Sequence, residues 1–305
     1  MRQRRRNNME KEKFNTDIFG RIQEFKKIVL GELDFKRKMY RTLFKTTSFE
    51  FDGFREYSSS YDNVRDIDWK ASVRTQKLLV RKYKIESEQK VLFVLDTSDN
   101  MVFGSQNKLK CEYAAEVVGV LSDVFINDGN FIGLFIYNSN LSKFIPPKKG
   151  KAHFYFIIST ILDTKNYGGY SDLDGSLNFL KKIDRKRISC VVILSDFLSY
   201  RKEKHFHDFN LISKKFESIA VVLRDPLDTT LPVVRGEFVI QDPRTGEQKI
   251  LDPSIARFAY ESFSKYDEEV LIKDFFDCGI DVLRLNTSES FIPNLFNFLK
   301  FRLRY

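Results

Sequence analysis

Short, uninterrupted apolar runs that alternate with helical periodicity constrain this chain most. Val91–Leu95, Phe131–Ile136, Cys190–Leu194, Ser218–Leu223 and Ile280–Leu285 have the length and β-branched content of strands buried on both faces. Between them lie stretches whose apolar residues fall three and four apart. The clearest is 107–127, which carries Leu109, Tyr113, Val117, Leu121 and Val124 on one stripe. Further helices are expected over 151–163, from Ser171 or Asp172 onward, over 203–216 and 254–277, and after the last strand. Strands alternating with helices predict an α/β fold, a doubly wound and mainly parallel sheet covered on both faces.

The rest of the chain divides around this unit. Residues 1–13 form a basic tail, and Phe14, Ile18, Ile22, Phe25, Ile28, Val29 and Leu33 predict an amphipathic helix within 14–40. Residues 41–88 alternate in the manner of strands around a Ser-rich centre and predict a small β-rich attachment. The main unit spans 89–305, interrupted at about 226–253 by the turn-rich stretch around Asp242-Pro-Arg-Thr-Gly246, which predicts a β-hairpin insertion. Pairing of that hairpin with the 41–88 attachment is left open by the sequence.

Composition excludes several function classes. Three cysteines, Cys111, Cys190 and Cys278, lie far apart without Cys-x-x-Cys spacing, so neither a disulfide framework nor a zinc site is expected. The net charge of +9 is concentrated at one end: Arg2, Arg4, Arg5 and Arg6 supply four of it, leaving +5 elsewhere. Acids and bases are interspersed over that remainder, which predicts a solvated surface and no specific nucleic-acid site. Polar residues follow Arg2–Arg6 where a signal peptide needs an apolar run, and no stretch approaches the roughly 18 apolar residues of a spanning helix. A cytoplasmic protein is expected. Its basic tail suits weak contact with anionic lipid at the inner membrane surface.

In a doubly wound sheet, ligands gather at the carboxyl ends of strands where strand order reverses. Asp96 ends the first apolar run, and Asp96, Ser98 and Asn100 alternate through the loop after it. Ser171-Asp172 and Ser195-Asp196 stand at two further strand or helix junctions. An oxygen shell of Asp96, Ser98, Asn100, Ser171 and Asp196, with few carboxylates, is of the kind that Mg²⁺ accepts together with water. The same residue types are also ordinary turn and cap formers. Asp99 and Asp172 flank the cluster and are candidate partner contacts.

Enzymatic alternatives find less support. A phosphatase of the haloacid dehalogenase type needs a second Asp where Ser98 stands, and neither a Gly-x-Ser-x-Gly elbow nor a phosphate-binding Gly-rich loop is present. His205 and His207 alternate on a helix and so face different ways. A metal-dependent hydrolase using Asp96 and Asp196 is the remaining catalytic reading. Upstream, Arg55, Arg65, Asp66, Asp68, Trp69 and Arg74 form a charged cluster around the single tryptophan. Trp69 is either a buried anchor ringed by ion pairs or, with Arg55 and Arg65, a partner contact.

Several of these motifs occur together. Phe49–Tyr57, Tyr61–Ala71, Leu79–Tyr83, the loop Asp96-Thr-Ser-Asp-Asn-Met101, Gly168-Gly-Tyr-Ser-Asp-Leu173, Leu194–Phe197 and Arg224-Asp-Pro-Leu-Asp228 follow in order. This set resembles the bacterial domain-of-unknown-function family fifty-eight (DUF58), which is similar to von Willebrand factor A proteins. The resemblance implies a von Willebrand factor A-like fold and a site like the metal-ion-dependent adhesion site, in which a partner's acidic side chain completes the metal. It also implies a non-catalytic adaptor acting with a MoxR-type AAA+ ATPase and a client protein, in chaperone-like assembly or envelope stress. This chain departs from the adhesion pattern at Asn100, which replaces a Ser, and at Ser171, which stands for a Thr.

Overall fold

The computed structural model describes residues 14–30, 49–58, 62, 64–85, 88–232, 238–241 and 248–302. The basic tail, residues 31–48 after the first helix and the expected turn Asp242–Gly246 lie outside the described residues. In chain order the elements are α1 (Ile18–Leu30), β1 (Phe49–Glu56), α2 (Trp69–Thr75), β2 (Leu79–Ile85), β3 (Lys90–Asp96) and α3 (Lys110–Asn127). Then come β4 (Phe131–Tyr137), β5 (Ser142–Lys148), α4 (Lys151–Leu162), α5 (Leu173–Lys182), β6 (Cys190–Ser195), α6 (Lys202–Lys215) and β7 (Glu217–Arg224). The chain continues through α7 (Pro226–Thr229), β8 (Phe238–Gln241), β9 (Gln248–Leu251), α8 (Pro253–Asp277), β10 (Asp281–Asn286) and α9 (Phe291–Arg302).

Six strands form one sheet in the order β10-β7-β6-β3-β4-β5, parallel except for β5, which runs antiparallel at the edge. This is the doubly wound α/β arrangement predicted by the alternation of apolar runs. Strand β5 is not among the strands read from the sequence, and it carries Pro146 and Pro147. Proline lacks the N–H that an inner strand must donate, and the edge position removes that requirement. Side chains of β3 alternate between the two faces. Val91, Phe93 and Leu95 pack with α1, α3, α4 and α9, whereas Leu92 and Val94 pack with α5, α6 and α8. Burial of β3 on both sides accounts for its unbroken apolar run.

Helix α1 covers α3. Ile18, Ile22 and Phe25 are buried there, and a Cβ on Gly119 would stand 2.4 Å from Ile18 Cγ2. The approach of the two helices therefore requires glycine at that position. Just before α1, the Asn15 and Asp17 amides donate to Glu112 Oε1 and Glu116 Oε1 at 2.6 and 2.8 Å, giving two buried carboxylates of α3 their partners.

The remaining strands pair as hairpins, β1 with β2 and β8 with β9, and among the described residues these are separate sheets that do not pair with each other. Between β1 and β2 the chain forms helix α2, which the strand-like reading of this region missed. Asp68 caps it by accepting from Ala71 N at 3.0 Å and also pairs with Arg81 Nε at 2.6 Å. Trp69 opens α2 and is 60% exposed, so the buried-anchor reading is corrected. The first helical turn directs its ring to solvent while its neighbours satisfy their charges locally. No described helix is long and apolar enough to cross a membrane.

Candidate functional site

Strand order reverses between β3 and β6, because the chain leaves β3 toward β4 on one side and later returns to β6 on the other. Asp96 is the last residue of β3, and Ser195-Asp196 stand at the end of β6. Both carboxylates thus meet at the crevice where doubly wound sheets bind ligands.

Three donors converge on the Asp96 carboxylate. Its Oδ1 accepts from Ser98 N at 2.9 Å, and its Oδ2 accepts from Ser171 Oγ at 2.7 Å and Ser195 Oγ at 2.9 Å. Asp96, Thr97 and Ser98 are completely buried. No described basic side chain pairs with Asp96. Burial, and after it the nearby Asp196 carboxylate, push the Asp96 pKa above the ordinary carboxylate range. Among the described residues, buried Ser98 Oγ has no hydrogen-bond partner, and neither has the hydroxyl of Tyr137, the residue paired with Asp96 in the β3–β4 register. Burial and then the Asp96 charge hold the Tyr137 hydroxyl far above its usual pKa, keeping it neutral.

Backbone contacts strap the Ser171 loop onto the strand ends. Gly168 N donates to Thr97 O at 3.0 Å, and Asp99 N donates to Gly169 O at 2.8 Å. Gly169 takes φ 71°, and a Cβ there would lie 2.3 Å from Ser139 Oγ. Only glycine combines that left-handed backbone with so close an approach. The Gly168-Gly169 pair thereby sets Ser171 over Asp96.

The other predicted site residues fall differently. Asn100 is half-buried in the turn, and none of the described hydrogen bonds joins its side chain to the cluster. Asp172 caps α5, accepting from Gly175 N at 3.0 Å. Arg55 makes a two-pronged pair with Asp62, one prong at 2.5 Å, and Arg65 lies in the 3-10 turn Val64–Asp66, its side chain outside the described residues. Asp196 is near Asp96 but engaged: its Oδ2 accepts from Lys110 Nζ at 2.8 Å, its Oδ1 from Leu198 N at 3.1 Å, and its carbonyl from Arg224 Nη1.

Lys110 was absent from the sequence reading. It opens α3, is 1% exposed, and bridges Asp196 to Asp228 Oδ2, the latter at 2.9 Å. Burial lowers its pKa, yet the two carboxylates outweigh that effect and leave it raised, so the ammonium stays charged. Asp228 is held in turn by Asp225 N at 2.9 Å, and Asp225 Oδ2 accepts from Ser105 N at 2.8 Å and Thr287 Oγ1 at 3.0 Å. A single lysine among 51 basic residues gives no sequence signal for this role. Ser195 had a signal, as a hydroxyl at the last position of a buried strand.

Comparison with known proteins bears out the family resemblance. Residues 53–269 match the family described as "Protein of unknown function DUF58". The chain belongs to this family. Among curated relatives, the uncharacterized protein Rv1480 of Mycobacterium tuberculosis is 26% identical over 247 residues, covering 80% of this chain and 76% of that protein. The uncharacterized protein MAV169 of Mycobacterium avium is 26% identical over 164 residues, 52% of this chain and 94% of the relative. Among solved structures, the conserved hypothetical protein BatB from Bacteroides thetaiotaomicron shares 12% identity with this DUF58 chain at a TM-score of 0.47, covering 71% of this chain and 100% of that one. The SpRpn10 VWA domain shares 12% identity at a TM-score of 0.44, covering 69% and 95% respectively. The α/β assignment rests on the strand order itself.

Proposed function

We propose that this DUF58 chain is a non-catalytic interaction protein whose working surface is the Asp96 loop, completed by Mg²⁺ and by a carboxylate of the partner. One observation carries the reading: among the described residues a buried serine hydroxyl, Ser98 Oγ, has no hydrogen-bond partner, and it stands beside a buried carboxylate, Asp96, that has no described basic partner. Buried polar atoms are seldom left unpaired, so such a pair calls for a ligand. The donor set fits a hard cation, with Asp96 and Ser98 at the end of β3, Ser171 in the loop before α5 and Asn100 in the turn after Ser98. When bound, Mg²⁺ supplies positive charge that neutralises Asp96 and draws in an anion. Tyr170 and Leu198, 59% and 43% exposed, border the cluster and offer the apolar rim that a protein partner covers.

The partner that the resemblance suggests is a MoxR-type AAA+ ATPase or its client, with ATP turnover residing in the ATPase. Trp69, beside Val73 at 78% exposure, offers a second contact surface on α2. The engagement of Asp196 by Lys110 counts against the hydrolase reading, which requires both carboxylates to serve one metal. Capture of the ATPase by the full chain tests the proposal. Asp96→Ala and Ser98→Ala are expected to lower capture at least about tenfold, the loss of one charge-assisted contact, and a chelator to do the same in wild type. Unchanged capture in both variants, with and without chelator, removes the loop from the mechanism. Metal-dependent turnover of phosphate or carboxylate esters that disappears in Asp96→Asn would instead establish an enzyme.

A further inference from the structure

The ammonium of Lys110 already occupies one side of Asp196. We infer that Lys110 is a resident counter-cation that keeps Asp196 out of the inner shell of the Asp96 site, so that a divalent ion there meets one protein carboxylate and otherwise neutral oxygens. The inference rests on the metal reading above and deepens it by naming which carboxylate the metal uses.

Neither member of the pair can relax into solvent, since Lys110 and Asp196 are each 1% exposed. Both Asp196 oxygens are committed, to Lys110 Nζ at 2.8 Å and to Leu198 N at 3.1 Å. The lysine is anchored a second time by Asp228 at 2.9 Å, and Asp228 is itself fixed by the Asp225 amide at 2.9 Å. For a metal to recruit Asp196, the ammonium would have to leave that oxygen and remain close to a second cation in a water-poor interior, where like charges repel strongly. Among the described residues Asp96 has no such competitor, and its hydroxyl neighbours Ser98 and Ser171 are neutral. Oxygen sites lose affinity as their carboxylate count falls. A site limited to Asp96 therefore binds a divalent ion weakly until an outside carboxylate supplies the missing negative charge. Loading of the metal and docking of an acidic partner become one event.

The test is Mn²⁺ binding to the full chain, read from the paramagnetic signal of free Mn²⁺ and repeated with Mg²⁺ as competitor. Asp96→Asn is expected to weaken binding at least about tenfold, Asp196→Asn to change it less than about threefold, and Lys110→Met to tighten it about tenfold by releasing Asp196. A loss in Asp196→Asn as large as that in Asp96→Asn overturns the inference, as does a folded Lys110→Met protein that binds no tighter than wild type. If Lys110→Met does not fold, the Asp196→Asn comparison decides alone. Equal affinity in wild type and Asp96→Asn overturns the metal reading itself, an outcome distinct from failure of the lysine's role.

Discussion

A proton on His205 would have to enter an unfavourable place. Its Nδ1 accepts from Arg201 N at 2.8 Å at the start of α6, so protonation would set two donors face to face. Burial pushes the His205 pKa down, opposed by the Asp174 carboxylate 3.2 Å from Nε2. A depressed folded-state pKa means that the histidine's contribution is present above its unfolded value of about 6.5 and is lost as pH falls through the folded value. Wild type is therefore expected to lose a few degrees of Tm between about pH 7 and pH 5, and His205→Asn, which keeps an acceptor for Arg201 N, to lose less. Equal slopes in thermal melts would show that His205 is not the source. At this same scale, Asp96 and Ser98 stand out in the sequence because a strand end followed by hydroxyl and carboxyl residues is a local pattern, whereas Ser171, in the loop before α5, meets Asp96 only through the fold. Lys110 and Tyr137 do not stand out, since a lysine and a tyrosine acquire their meaning only from what they meet.

Helices α1 and α3 show how much depends on a contact that spans the sequence. Phe25 is 2% exposed beneath α1, and Phe25→Ala should cost about 3 kcal/mol or more in urea unfolding, the usual cost of emptying an aromatic site. Gly119→Val places bulk against Ile18 and should cost about 1–3 kcal/mol by forcing the helices apart. If that substitution dislodges α1, Phe25→Ala will cost much less in the Gly119→Val background than alone. Strictly additive losses would place the strain elsewhere. The amphipathic stripe of α1 announced a covered face, but its partner came from the fold. The charged residues Glu112 and Glu116 have local partners in Leu109 N and Lys108, but the Asn15 and Asp17 amides that complete their burial lie 97 and 99 positions away. Likewise α2 eluded a reading tuned to strands: seven residues are too few to display helical periodicity, and only the Asp68 cap marks the start.

Over the whole molecule, the two central strands should be the last to open. β3 and β6 pair on both edges and are covered on both faces, while β5 is an edge strand carrying two prolines. Hydrogen exchange followed by mass spectrometry is expected to leave Val91–Leu95 and Cys190–Leu194 protected longest and Ser142–Lys148 to exchange well before them. Simultaneous exchange of all three segments would mean that the sheet opens only as a unit. The apolar runs, the helical stripes between them and the loop after Val91–Leu95 determined the α/β plan and the place of the candidate site, because strand and helix formation report on residues close in sequence. What the tertiary structure alone decided was the state of the charges. Ser171, Asp196 and Ser195 reach their partners across 75, 86 and 99 positions, and whether a carboxylate there is free, buried or already paired with a lysine depends on burial and packing that no local pattern encodes.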